Sequence, residues 1–174
     1  LSISDTKADL TAGKSKVSLQ ILPSDDYPKM DVNDKSTKVN IDIIELSNII
    51  NKTSFAMAYQ DARHFLNGLH ICQNDNKLVS VCTDGHRLAK YMSTTNYSDE
   101  LSIIIPRKCI LEINRILSSF DNNTTDIAEL YVNSNSISLK IGEYTLISKL
   151  IEGNYPNFNK VIPETTKSKI IVDR

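Results

Sequence analysis

The sequence has no tryptophan, five glycines, five prolines and three cysteines in 174 residues. So few glycines leave little material for loops that cradle nucleotide phosphates. No G-x-S-x-G elbow, phosphate-binding glycine loop or metal-spaced carboxylate cluster occurs. Cys72, Cys82 and Cys109 stand singly among apolar residues with no C-x-x-C pair, which fits a reducing compartment and the role of small core side chains. Residues 55–59 are the longest apolar run, five in all, where a bilayer span needs roughly 20. With no basic-then-apolar leader at its start, the chain is expected to be cytoplasmic. Neither sign of charge dominates: 20 Lys plus Arg face 21 Asp plus Glu, a formal net charge of −1. Gripping nucleic acid by bulk electrostatics requires a strongly basic protein, so any DNA role must rest on local charge. The chain opens on Leu1 and closes at Arg174, just after a strand-like run at 169–172 has begun, and so reads as a piece cut from a longer protein.

What is present is mostly strand signal. Ile137, Leu139 and Ile141 alternate with Ser136, Ser138 and Lys140, the period of a strand with one buried face. Residues 130–133 precede it across Ser134-Asn135, and 144–151 follow across Gly142-Glu143, which predicts a three-stranded meander. Residues 66–72 and 77–82 flank an Asn74-Asp75-Asn76 turn and predict a hairpin, extended by 87–92. Two segments switch to helical spacing. Ile43, Leu46, Ile49 and Ile50 recur at three and four behind a capping Asp42. Pro106 stands where a helix's first turn tolerates proline, ahead of the stripe Ile110, Ile113, Leu117 and Phe120. The opposite stripe of this second helix is Lys108, Glu112, Arg115 and Ser119, so it has one face for a sheet and one for solvent or a partner.

An internal repeat organises the whole. Residues 22–28 (LPSDDYP) and 150–156 (LIEGNYP) share Leu, a polar turn and Tyr-Pro in register, 128 residues apart. Each follows a glycine turn, at Gly13 or Gly142, and a strand holding Val17-Ser18-Leu19 or Thr145-Leu146-Ile147. Downstream, Lys38-Val39-Asn40-Ile41-Asp42 is echoed by Lys169-Ile170-Ile171-Val172-Asp173, offset by 131. A period of about 130 is the size of a domain, not of a solenoid repeat. The expected organisation is the end of one copy at 1–34, a whole copy at 35–163 and the first strand of another at 164–174.

Two chemistry-bearing constellations are weighed against this. Asp84 close to His86 could orient an imidazole for acid-base work, but Asp-Gly is a common turn. His64 and His70 could share a strand face with a metal, yet nothing is placed to complete four ligands. No catalytic residue, metal or cofactor is expected.

Four motifs carry a family resemblance: residues 55–63 (FAMAYQDAR) running into Phe65-Leu66-Asn67-Gly68, 83–89 (TDGHRLA), 104–108 (IIPRK) and 148–156 (SKLIEGNYP). In this order and spacing the chain resembles the middle domain of the bacterial DNA polymerase III beta subunit. The resemblance implies an α+β DNA-clamp fold, with antiparallel sheets outside and two helices packed on the inner face of each tandem repeated domain. It further implies a head-to-tail homodimeric ring around double-stranded DNA, held without regard to sequence. By resemblance Arg107, Lys108 and Arg115 face phosphates, joined by Gln60 and Lys52. The first helix departs from the family, with Ser47 and Asn48 where basic side chains often line the hole.

A pocket for short linear motifs is implied as well, between middle and third domains. Its walls come from Arg63 and Leu66, from Thr83, Gly85, His86, Arg87 and Leu88, and from Pro156, Lys160 and Val161. The partners implied are the polymerase catalytic subunit, the clamp loader and repair proteins; no membrane is expected. Extended peptides with leucine or phenylalanine anchors suit such a pocket, since apolar walls supply affinity and a few polar groups fix direction. The rival reading is a β-rich protein-binding scaffold that shares the repeat without encircling DNA.

Overall fold

Residues 1–27, 36–120 and 126–163 are described by the computed structural model, which divides into two units, Leu1–Asp31 and Val32–Arg174. In the first unit β1 (Ser2–Ile3), β2 (Lys7–Ala12) and β3 (Ser15–Gln20) form an antiparallel sheet in that order. Ala8 is the buried hydrophobic residue of this sheet, while Leu10 and its partner Val17 stay exposed. Expectations on Pro28, Lys35, residues 164–174 and the echo at 169–173 lie outside the described residues.

The second unit is a β-α-β-β-β motif built twice. The first copy runs β4 (Thr37–Asp42), α1 (Ile43–Asn51), β5 (Gly68–Asn74), β6 (Lys77–Thr83) and β7 (Leu88–Asn96). The second runs β8 (Ser102–Pro106), α2 (Arg107–Leu117), β9 (Ile127–Val132), β10 (Ser136–Ile141) and β11 (Tyr144–Lys149). Each copy lends its first strand to the other's sheet: the orders are β7-β6-β5-β8 and β11-β10-β9-β4, antiparallel throughout. Leu69 thus pairs with Ile105, and Val39 with Leu130. The sheets also meet where Ile151 N–H, just past β11, donates to Ile104 O on β8 at 2.9 Å.

Local chemistry explains the elements. Asp75 and Asn76 hold φ of 50° and 59°, the left-handed pair that lets a two-residue turn follow the twist of β5 and β6. Asp42 Oδ1 accepts from Ile44 N–H at 2.8 Å and Glu45 N–H at 3.3 Å, filling two orphan donors of α1. Helix α2 buries Cys109, Ile110, Ile113 and Leu117 and keeps Phe120 half-buried on the same core. At roughly 2 kcal/mol per large apolar side chain, the two stripes seat both helices on the sheets.

Strand β5 is covered on both faces. Leu69 and Ile71 point into the main core with Leu78 and Cys82. His70 and Cys72 point the other way, opposite Val81 and Val79, where Leu88, Tyr155 and Phe158 close a smaller cluster. That second cluster positions the site.

Boundaries differ in a few places from the sequence reading. Residues His64–Leu66 form a 3-10 turn, so β5 begins at Gly68, and β11 stops at Lys149. Pro106 is the capping residue at the end of β8, and the helix proper begins at Arg107. Proline's fixed φ suits that junction, and its missing N–H is no loss there. Gly68 is enforced by packing: a Cβ there would lie 2.6 Å from Ile105 O and 2.7 Å from Ile104 Cγ2. Among the described residues no helix is long and apolar enough to cross a membrane.

Candidate functional site

A pocket of about 500 Å³ opens over the smaller cluster. Arg63, Leu66, Thr83, Gly85, His86, Arg87, Leu88, Pro156 and Val161 line it, nine of the ten residues that the sequence motifs predict. Lys160 is exposed on the same 3-10 turn as Val161, Phe158–Val161, but does not line the cavity. Phe65, Tyr155, Asn157 and Phe158 complete the lining and lie outside the set that the motifs predict. Tyr155 lies in the repeat motif, but no pattern in the sequence marks it or Phe158 as a pocket wall.

The floor is apolar. Leu66 is buried, and Leu88, Tyr155 and Phe158 are half-buried. The rim is polar and internally hydrogen-bonded. Asp61 takes a fork from Arg63, Nε to Oδ1 at 3.0 Å and Nη2 to Oδ2 at 2.8 Å, and also accepts Arg63 N–H at 2.8 Å. The Arg63 side chain and backbone together hold the Asp61 carboxyl down at about 2. Next to Arg63, whose Nη2 donates to Asp84 O at 3.3 Å, Asp84 Oδ1 accepts from His86 N–H at 2.9 Å and Arg87 N–H at 3.0 Å, while Oδ2 takes Arg87 Nε at 3.0 Å. Those two backbone donors, with the guanidinium, likewise hold Asp84 at about 2. Thr83 Oγ1 ties this turn by donating to Arg87 O at 2.7 Å and accepting Gly85 N–H at 3.1 Å.

Gly85 has φ of 90°, and a Cβ there would stand 3.0 Å from Arg63 Nη2. Only glycine lets the turn and the arginine share this side of the pocket. The Asp84 carboxylate is thus engaged as a turn cap and does not orient the His86 ring.

A second cavity, about 430 Å³, brings together Gln60, Arg107 and Lys108 with Tyr59, Asn67 and Leu111. The Arg107 guanidinium lies 5.6 Å from the Tyr59 ring centroid, and its Nη1 reaches Met57 O at 3.4 Å. Lys108 is exposed and has no hydrogen bond or ion pair among the described residues. Arg115, on the same helix face, pairs with Glu112 at 2.9 Å. Lys52 sits at the C-cap of α1 with its Nζ 4.4 Å from the Tyr91 ring centroid, a cation–π contact that sequence spacing does not reveal.

The two histidines do not converge on a metal. His70 is buried on β5 and its Nδ1 lies 3.1 Å from Ile103 O, whereas His64 is exposed in a 3-10 turn. Among the described residues no group of three His, Cys, Asp or Glu could hold a metal ion. All three cysteines are buried and free, and burial pushes the Cys82 thiol up to about 12, the opposite of an activated nucleophile.

Comparison with known proteins agrees with this architecture. Residues 40–157 match the family described as DNA polymerase III beta subunit, central domain. The Pseudomonas putida beta sliding clamp is 33% identical over 176 residues, covering 100% of this chain and 47% of its own length. A crystal structure of the Pseudomonas aeruginosa DNA polymerase III subunit beta superposes with a TM-score of 0.83 at 34% identity, over 94% of this chain and 45% of that one. A second Pseudomonas aeruginosa structure, of the sliding clamp bound to griselimycin, gives a TM-score of 0.81 at 34% identity, over 95% and 44%. The chain spans about half the length of the curated relatives it matches. On its duplicated β-α-β-β-β fold and the family match across most of its length, the chain belongs to the DNA polymerase III beta subunit family.

Proposed function

We propose that this chain is the middle part of a DNA sliding-clamp subunit, a processivity factor that encircles duplex DNA and tethers the replicative polymerase. Residues 35–163 form the complete middle domain, 1–34 the end of the first and 164–174 the first strand of the third. The full-length protein closes as a head-to-tail homodimer in the cytoplasm, and catalysis resides in the polymerase subunit it holds. A closed ring retains DNA by topology, so the contacts lining it can stay weak enough to slide. A net charge of −1 is compatible with that, where a grip by charge alone is not.

The observation that carries the reading is the convergence of residues from 63 to 161 on one apolar-floored, polar-rimmed pocket of about 500 Å³. It has the size and lining that suit the anchor side chains of an extended peptide. The occupants proposed are short linear motifs of the polymerase catalytic subunit, the clamp loader and repair proteins. On α2, Lys108 and Arg115 share the solvent face opposite the buried stripe, with Arg107 and Gln60 at the adjoining cavity. They are assigned to phosphates of double-stranded DNA, without base reading. Lys52 is the weakest member of that set, since its ammonium already caps the Tyr91 ring.

The test is retention by the full-length protein on nicked circular DNA and on the same DNA linearised, after loading. A ring stays on the circle and runs off the free ends. Equal behaviour on both would replace it with the β-rich scaffold reading, which is indifferent to DNA ends.

A further inference from the structure

We propose that His70 is a positioning residue for the peptide pocket, holding the Tyr155–Phe158 wall in place by ring stacking. This rests on the reading of the pocket as a peptide site. Tyr155, Pro156, Asn157, Phe158 and Val161 supply one whole wall. Yet among the described residues the backbone of 152–161 makes no backbone hydrogen bond to any strand; outside the 3-10 turn Phe158–Val161 itself, its bond is local, Lys160 N–H to Asn157 O at 3.3 Å. Side chains therefore hold this wall to the sheet.

His70 is at the centre of that attachment. It stands on the face of β5 away from the main core and is 5% exposed. The Tyr155 ring lies on it face to face, centroids 4.5 Å apart and planes 7° from parallel. Phe158 meets it edge-on at 6.2 Å and 61°. The Ile103 carbonyl can only accept, so at 3.1 Å it accepts a hydrogen bond from Nδ1–H, which fixes both the tautomer and the ring plane. Strand β8 thereby orients the imidazole, the imidazole orients Tyr155, and Tyr155 shapes the pocket. From the other edge Lys90 Nζ sits 5.2 Å from the Phe158 centroid and 3.3 Å from Asn159 Oδ1, a contact that also pins the turn but does not touch Tyr155. Burial lowers the His70 pKa, which keeps the ring neutral and suited to stacking.

The experiment uses the full-length protein and a fluorescein-labelled hexapeptide with adjacent Leu and Phe, read by fluorescence anisotropy alongside thermal melts. His70→Ala is expected to weaken binding about tenfold, the scale of removing one aromatic pair together with wall disorder. His70→Phe, which keeps a flat ring, is expected to restore affinity to within about twofold even though it lacks the bond to Ile103 O. In a double-mutant cycle, Tyr155→Ala with His70→Ala is expected to bind no worse than Tyr155→Ala alone. Should His70→Ala fail to fold, His70→Asn, which keeps a donor and loses the ring, takes its place with the same expectation. Wild-type affinity in the folded ring-less variants overturns the positioning role and leaves the pocket reading standing. So do additive losses in the cycle. No binding by the wild-type protein overturns both.

Discussion

Tyr91 is held between the two ends of helix α1: its hydroxyl donates to the Glu45 carboxylate at 3.2 Å, and its ring receives Lys52 Nζ at 4.4 Å. Glu45, 8% exposed as a residue, also accepts Thr94 N–H at 2.7 Å, so one carboxylate ties the first helix to strand β7. Burial pushes the Glu45 pKa up, but the hydrogen bonds from Thr94, Ser93 and Tyr91 together outweigh it and hold the group below the usual glutamate value.

Glu45→Ala should therefore lower the stability of the full-length protein by about 1 kcal/mol, the scale of losing hydrogen bonds from the partly exposed Tyr91 and Thr94 donors. The sign of the pH effect follows from the lowered pKa. The Glu45 contribution is complete above the unfolded value near 4.5 and is lost as pH falls through the folded value. Melting temperatures measured from pH 7 down to pH 3 should fall more steeply for wild type than for Glu45→Gln. Parallel curves would show that the carboxylate is not coupled to folding.

Gly68→Ala tests the close approach of β5 to β8. The added methyl meets backbone at 2.6 Å, which no rotamer change relieves, and the cost should exceed about 2 kcal/mol. Chemical denaturation is the measurement, and a midpoint equal to that of wild type would contradict the packing described.

At Gly85 the expectation is different in kind. Gly85→Ala strains a backbone at φ of 90° and crowds Arg63, so it should cost about 1 kcal/mol of stability while disturbing the rim directly. Peptide affinity should drop further than the melting temperature alone would suggest. Asp84→Asn keeps the size of the turn cap but not its charge. Because Asp84 and Asp61 titrate at about 2, neither should contribute any change in peptide binding between pH 5 and 8. Their stabilising contributions are complete above the ordinary aspartate range and disappear only as pH falls through those low values.

On the basic face, Lys108 and Arg115 are not equivalent. Lys108 is unpaired among the described residues, whereas Arg115 must share its guanidinium with Glu112. Replacing Arg107, Lys108 and Arg115 together with alanine should weaken retention on circular DNA and flatten its salt dependence, by roughly 0.9 in the logarithmic slope for each phosphate that is no longer neutralised. Lys108→Ala should account for more of this than Arg115→Ala, and Glu112→Ala should strengthen retention at low salt. An unchanged slope in the triple variant would remove α2 from the DNA path.

The hairpins, the three-stranded meander and both helices are legible in the sequence because their causes are local. A left-handed Asp-Asn pair makes a tight turn wherever it occurs, and an apolar stripe at three and four makes one helix face whatever it packs on. The lending of β4 and β8 between sheets is not legible, since Val39 meets Leu130 and Leu69 meets Ile105 through pairings that no short-range pattern encodes. The pocket is legible only through family motifs. Its aromatic wall is not, because alternation in β5 marks His70 as facing away from Leu69 without saying that Tyr155 will cover it.

The amino-acid order alone settled both helices, the β5–β6 hairpin, the β9–β10–β11 meander and their turns, all set within a few neighbouring residues, together with a net charge near zero; it did not mark β8 as a strand. Tertiary structure decided which strands trade places, that residues from 63 to 161 close one pocket, and that Lys52 and Arg115 are already engaged by Tyr91 and Glu112. Those outcomes depend on contacts between chain segments far apart in sequence, where the free energy of burial, not local preference, selects the partner.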